Sequence, residues 1–328
     1  MKKRWIALLL TAVLLLGGCA QNKQERVSGT GFYFDTVVTL TLYGAPEGLM
    51  EQLWQECARY ERLLSKTVEG SDVDRINRAG GQTVTVDAET WQILKSAKEI
   101  SEKTGGAFSV TIAPLSAQWD FTGGTNRMPA EGERLAALAL VDDARLVLGE
   151  GCTVTLPEGM SIDLGGIAKG YIADKLAEMV RGKVTGAILN FGGNVYAVGH
   201  KPDGSAFSIG VADPANPNEA AAAIRVEDMS VVTSGTYQRC FTLDGITYHH
   251  ILDPQTGLPA DTGLVSASIV AESSMTADAL ATACIVLGLE ESIPLLEQLG
   301  LEGMFIDAEG NISVTPGFTD QFPVQTAG

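Results

Sequence analysis

Residues 186–211 read GAILNFGGNVYAVGHKPDGSAFSIGV. Apolar runs of strand length at 187–191, 195–198 and 207–211 are broken by glycine-bearing turns. The gaps between them are too short for a crossover helix, so this region predicts hairpins and antiparallel pairing. Toward the C-terminus the pattern continues at 224–226, 241–243 and 247–252, and Asp244-Gly245 between the last two is a hairpin signal. Toward the N-terminus, a strand at 37–43 precedes a helix marked by Leu49, Leu53, Trp54, Cys57, Tyr60 and Leu64. A second helix starts at an Asp87 cap, runs through Trp91, Leu94 and Ile100, and stops before Gly105-Gly106. Further helices are predicted at 133–141, 172–181, 274–287 and 293–299, and a last hairpin across Glu309-Gly310. This order is not a βαβ series. It predicts an α+β fold of mixed, largely antiparallel sheets packed with helices.

The chain has 328 residues, with 23 Lys and Arg against 40 Asp and Glu, a net charge of −17. Such a surface repels phosphate backbones and excludes a sequence-independent nucleic-acid binder. The first residues read as an address. Met1-Lys2-Lys3-Arg4 is basic, residues 6–16 are apolar but shorter than the roughly 20 a bilayer needs, and Leu16-Gly17-Gly18-Cys19 resembles the lipobox of bacterial lipoproteins. That resemblance implies cleavage before Cys19, a lipid on its thiol, and anchoring at the extracytoplasmic face of the cell membrane. The expected organisation is a signal at 1–18, a polar tether at 19–30 and one domain at 31–328. Cys57, Cys152, Cys240 and Cys284 show no CxxC spacing, which argues against zinc, and are expected to be inert core residues.

Four stretches could carry chemistry. In Asp163-Leu-Gly-Gly-Ile-Ala-Lys169-Gly170, glycines lie between a short strand and a helix N-terminus, where backbone N–H groups and the helix dipole favour an anion. Lys169 would add a point charge; the same turn would serve equally as a tight connection with Lys169 in solvent. Asp278 and Thr282 are four apart and share one face of an otherwise apolar helix. Such oxygens suit Mg2+, though Asp278 could instead serve the helix dipole and Thr282 a backbone carbonyl. His249 and His250 end a strand just before Asp253-Pro254 and point to opposite faces, so at most one serves a given site. Asn190-Phe-Gly-Gly-Asn194 and Thr233-Ser-Gly-Thr-Tyr-Gln-Arg239 are glycine-broken strand ends with polar side chains that ordinary bulges would also explain.

Taken in order, Phe34-Asp35-Thr36, Gly106-Ala-Phe108, 163–170, Asn190-Phe-Gly-Gly193, Thr233-Ser-Gly235, His250-Ile-Leu-Asp-Pro254 with Thr256-Gly257, and Thr276-Ala-Asp-Ala-Leu-Ala-Thr282 resemble the ApbE family of FAD:protein FMN transferases. The resemblance implies an enzyme that binds FAD and Mg2+ and moves FMN onto a threonine or serine hydroxyl of a target protein, releasing AMP. The implied acceptors are extracytoplasmic flavoproteins, including subunits of membrane redox complexes. Residue by residue it implies Asp278, Thr282 and the Gly166 carbonyl as metal ligands. It implies FAD contacts at Phe34, Thr67, Ala107, Phe108, Ser109, Asp163, Lys169 and Leu252, and catalytic roles for His250, as general base, and Asp278. The chain departs from the family pattern at Ser109, where Asp is common, at Asp35, where Gly is common, and at Thr67, a place often aromatic. Two alternatives remain open: a pyrophosphatase that uses water in place of the target hydroxyl, and a lipid-anchored solute-binding protein built from two lobes of parallel βαβ units.

Overall fold

The computed structural model describes residues 25–121 and 124–326. The expected signal at 1–18 and Cys19 lie outside the described residues. An eight-stranded sheet carries the fold. Its strands are β1 (Arg26–Tyr33), β2 (Thr36–Tyr43), β3 (Gly186–Phe191), β4 (Asn194–Gly199), β5 (Met229–Gly235), β6 (Leu264–Ala271), β7 (Glu302–Asp307) and β8 (Ile312–Val314). They lie side by side in the order in which the chain makes them, and every neighbouring pair is antiparallel. The α+β expectation is met. No strand pairing among the described residues is parallel, so the two-lobed solute-binding alternative has no counterpart here.

The elements between these strands build the layers. Between β2 and β3 come α1 (Leu49–Leu64), α2 (Ala88–Lys103), a small sheet of Val84–Thr85, Val147–Gly149 and Thr153–Thr155, and α3 (Ala168–Val180). Between β6 and β7 come α4 (Ser274–Leu287) and α5 (Leu289–Leu299). Val38, Leu40 and Leu42 alternate along β2 onto the helical face, with Leu189, Phe191, Ile269 and Phe305 on their own strands. The opposite face, through Val231, Val270, Met304 and Ile306, packs on Phe207, Ile209 and Ile224 of a separate three-stranded sheet. With both faces buried, a one-residue slip would move every side chain of a strand to the wrong layer, so register is tightly set.

Two expectations change. The polar tether does not reach residue 30, because Arg26–Tyr33 pairs along its whole length with β2. Its inward positions include Gly29 and Gly31, where an added Cβ would stand 3.1 Å from the Trp54 ring, so the strand carries little apolar signal of its own. The cysteines divide: Cys57 and Cys284 are buried, and burial pushes both thiols up to about 12, but Cys152 is half-buried and Cys240 exposed.

Helices α3 and α4 lie against each other, and the contact depends on Gly170. An added Cβ there would stand 2.2 Å from the Ser274 carbonyl oxygen and 2.7 Å from the Met275 Cα. Backbone cannot yield as a side chain can. Gly170→Ala is therefore expected to cost at least about 1–3 kcal/mol, the usual price of overpacking, seen as a lowered thermal midpoint. An unchanged midpoint would show that the two helices separate freely.

Candidate active site

The first turn of α3 leaves backbone N–H groups without helical partners. Asp278, from the second turn of α4, answers one of them: its Oδ2 accepts the Gly170 N–H at 3.0 Å. Lys169 Nζ stands 3.3 Å from Asp278 Oδ1 and donates to the Gly165 carbonyl at 2.6 Å. Asp278 is only 2% exposed, so this carboxylate is a buried charge with its partners in place. Thr282, one turn further along α4, has its hydroxyl 3.3 Å from that of Ser234 at the end of β5, and 3.4 Å from the Asp278 carbonyl.

Gly166 closes the group. A Cβ at this position would lie 3.7 Å from Thr282 Oγ1 and 3.2 Å from the Phe108 ring. The structure thus brings together Phe108, Gly166, Lys169, Asp278 and Thr282, with Phe108 and Gly166 58 residues apart and Lys169 and Asp278 109 apart. A carboxylate and a hydroxyl meet here, beside the Gly165 carbonyl to which Lys169 donates. This is a hard-oxygen set, suited to a cation such as Mg2+ that leaves coordination positions to phosphate and water. No cluster of three His, Cys, Asp or Glu is placed to hold a metal ion among the described residues.

Around this centre the other expected residues fall into three groups. Asp163 sits at the start of the glycine turn, where its Oδ1 accepts the Gly165 N–H at 2.8 Å and its Oδ2 pairs with Lys66 Nζ at 2.6 Å. Thr67, next to Lys66, is exposed and bonds Ser65. Phe34 lies in the β1–β2 turn, where both Phe34 and Asp35 have φ 55°, a left-handed backbone that side chains rarely accept. That turn is held by the Phe34 N–H donating to Glu61 and by Arg239 donating to the Asp35 carbonyl at 3.1 Å. The Arg239 carbonyl in turn accepts the His250 N–H at 3.0 Å, which links the Phe34 turn to the histidine.

The two histidines separate as their alternation requires. His249 is buried and bonds the Ala260 carbonyl through Nε2 at 3.0 Å. His250 keeps Nδ1 buried and without a partner. Burial, with the positive charge of Arg239 and Lys169 nearby, pushes His250 down to about 4, so its imidazole is neutral near pH 7 and able to accept a proton. Two expected contacts do not join the centre through their side chains. The Ser109 hydroxyl turns to the buried Asp143 at 2.7 Å, which also takes the Thr111 hydroxyl at the same distance. Leu252 is buried in a satellite cluster with Trp119 and Phe241.

Lys66 lies outside every stretch that the sequence singles out, and the partners of Ser234 and Arg239 cannot be read from their own stretch. Lys66 meets Asp163 across 97 residues and Arg239 meets Asp35 across 204, separations over which no spacing rule operates.

A glycine turn, one lysine and a buried carboxylate with a neighbouring hydroxyl thus meet where two helices pack. The sequence profile of the ApbE family matches residues 34–305, and the chain belongs to that family. A protein of Treponema pallidum (strain Nichols) named FAD:protein FMN transferase is 34% identical over 297 residues, spanning 85% of this chain and 82% of that one. One of the same name from Klebsiella pneumoniae (strain 342) is 36% identical over 266 residues, spanning 80% and 82%. Among solved structures, the ApbE protein of Thermotoga maritima aligns with TM-score 0.84 and 32% identity, over 90% of this chain and 98% of that one. The Pseudomonas stutzeri flavinyl transferase ApbE, in its apo form, aligns with TM-score 0.81 and 28% identity, over 93% and 98%.

Proposed function

We propose that the chain transfers FMN from FAD to a threonine or serine hydroxyl of an acceptor flavoprotein and releases AMP. The observation that carries this reading is the convergence of Asp278, Thr282, Lys169 and the 163–170 turn on one point. The family's shared name supplies the substrate.

A pyrophosphate carries negative charge on several oxygens, and phosphoryl transfer is helped chiefly by holding the groups in line and neutralising that charge. The N–H groups of Gly166 and Lys169, at the glycine turn and the start of α3, bind phosphate oxygens, and the Lys169 ammonium neutralises one of them. Asp278, Thr282 and the Gly166 carbonyl would hold Mg2+, which would supply Lewis-acid neutralisation of phosphate charge. His250 takes the proton of the acceptor hydroxyl as its oxygen bonds to the FMN-side phosphorus, and the bond from that phosphorus to the AMP oxygen breaks. The acidic surface elsewhere, with its net charge of −17, gives no general attraction for FAD, so binding relies on these local cations. Lipidation of Cys19 completes the proposal: it holds the domain at the extracytoplasmic face of the membrane, beside exported and membrane-bound acceptors.

The direct test incubates the chain with FAD, Mg2+ and a candidate acceptor flavoprotein and weighs the acceptor by mass spectrometry. Covalent FMN on the acceptor with AMP in solution is the expected result; free FMN and AMP beside an unmodified acceptor would identify a pyrophosphatase instead.

Three variants divide the roles. Asp278→Ala removes the charged ligand and should lower transfer by at least roughly 100-fold at every Mg2+ concentration; normal turnover at any of them would defeat the assignment. Lys169→Ala should weaken FAD binding roughly 10- to 100-fold, the value of a hydrogen bond to a charged group, read by flavin fluorescence. His250→Ala should leave FAD affinity intact and slow transfer by about 100-fold or more, the range of a general base. Because His250 is neutral down to about 4, the acid limb of the wild-type rate profile should fall well below the ordinary histidine range and vanish in this variant.

A further inference from the structure

Helix α3 contributes a second carboxylate to the α3–α4 contact, and it runs the opposite way from that of Asp278. Asp174 Oδ1 accepts the Ser274 N–H at 2.6 Å, and its Oδ2 accepts the Met275 N–H at 3.0 Å and the Ser273 hydroxyl at 3.1 Å. These are donors of the first turn of α4, which a helix cannot satisfy from within. Burial pushes Asp174 up to about 6, so near neutral pH it is ionised and both oxygens accept. The two helices therefore cap each other: Asp174 of α3 closes α4, and Asp278 of α4 closes α3 at Gly170.

The spacing makes these contacts a matched pair. Gly170 and Asp174 are four apart on α3, and Ser274 and Asp278 are four apart on α4, so each interval is about one turn, roughly 5.4 Å of rise. The bonds Asp174–Ser274 and Asp278–Gly170 close a ring between the helices. A further bond, Ser230 Oγ to Ser274 Oγ at 2.8 Å, ties α4 to the sheet. A slide of α4 by one residue, roughly 1.5 Å, would carry Asp278 and Thr282 out of reach of Gly166 and Gly170.

We propose that Asp174 is the positioning residue of the cation site: by capping α4 it sets the height of Asp278 and Thr282 against the glycine turn. This rests on the reading of Asp278 and Thr282 as cation ligands. A cap that served only stability would lower the melting temperature when removed and leave the affinity of folded molecules for the ion unchanged.

The test measures Mn2+ binding directly, by electron paramagnetic resonance, to the full chain with FAD present, in wild type, Asp174→Asn, Asp174→Ala and Asp278→Ala. The milder Asn variant keeps one acceptor oxygen and guards against failure of the Ala variant to fold. Expected is Mn2+ affinity lowered roughly 10-fold or more in the Asp174 variants, the usual effect of losing a group that orients ligands. The loss should be smaller for Asn than for Ala, with FAD affinity in the absence of metal within about twofold of wild type. Wild-type Mn2+ affinity in the folded Asp174 variants, beside lost binding in Asp278→Ala, would overturn the positioning role alone. Equal binding by all four proteins would overturn the metal reading and this inference with it.

Discussion

A helix begins with N–H groups that have no partners and a positive end to its dipole, and here two helices solve that problem for one another. Asp174 closes the start of α4 and Asp278 closes the start of α3. The exchange is possible only because Gly170 lets the backbones approach. Removing both charges from water is costly unless each finds several donors, and each does. Asp278, proposed above as a cation ligand, is thus also a structural cap, and the helix that carries it and Thr282 packs directly on the start of α3. The sheet beneath supplies the platform: β5 and β6, which pair directly, bring Ser234 to Thr282 and lead into α4.

Much of the scaffold is legible from local pattern. The Asp244-Gly245 hairpin forms with both residues at positive φ, 52° and 81°, and flanking Leu243 and Ile246 pair across it. Helices α1, α2 and α4 fall where their apolar spacing places them. What local pattern misses has physical causes. β1 presents glycines to Trp54 instead of apolar side chains, so it reads as polar linker. The α5 helix begins at Leu289, with Glu290 and Glu291 in its first turn, and runs through Pro294, whose ring reads as an early start signal. The strand Asn216–Val226 is longer than its apolar end at 224–226, because its first half is an exposed hairpin arm.

In the site, the division follows sequence separation. The i, i+4 spacing of Asp278 and Thr282 and the glycine turn before α3 are each visible within a few residues. The partners of each come from elsewhere in the chain: Gly170 sits 108 residues from Asp278, and Ser234 sits 48 residues from Thr282. The two histidines each keep a buried Nδ1 without a partner, and they differ in that His249 is tied to the Ala260 carbonyl through Nε2. Ser109 shows the converse. It stands in a recognisable motif, yet its hydroxyl serves Asp143 in the scaffold.

The order of strands in the main sheet carries one more implication. Because each strand lies beside its predecessor, a chain emerging N-terminus first adds to a growing edge and never has to insert between strands already paired. The newest edge is the only one left to complete, and the earliest, β1, is polar and glycine-bearing, poorly suited to recruiting a stray strand. Under this regime the glycine turn is laid down well before α4 reaches it. A nascent molecule holds one helix of the pair, its first turn waiting, until the chain beyond the sixth strand delivers Asp278.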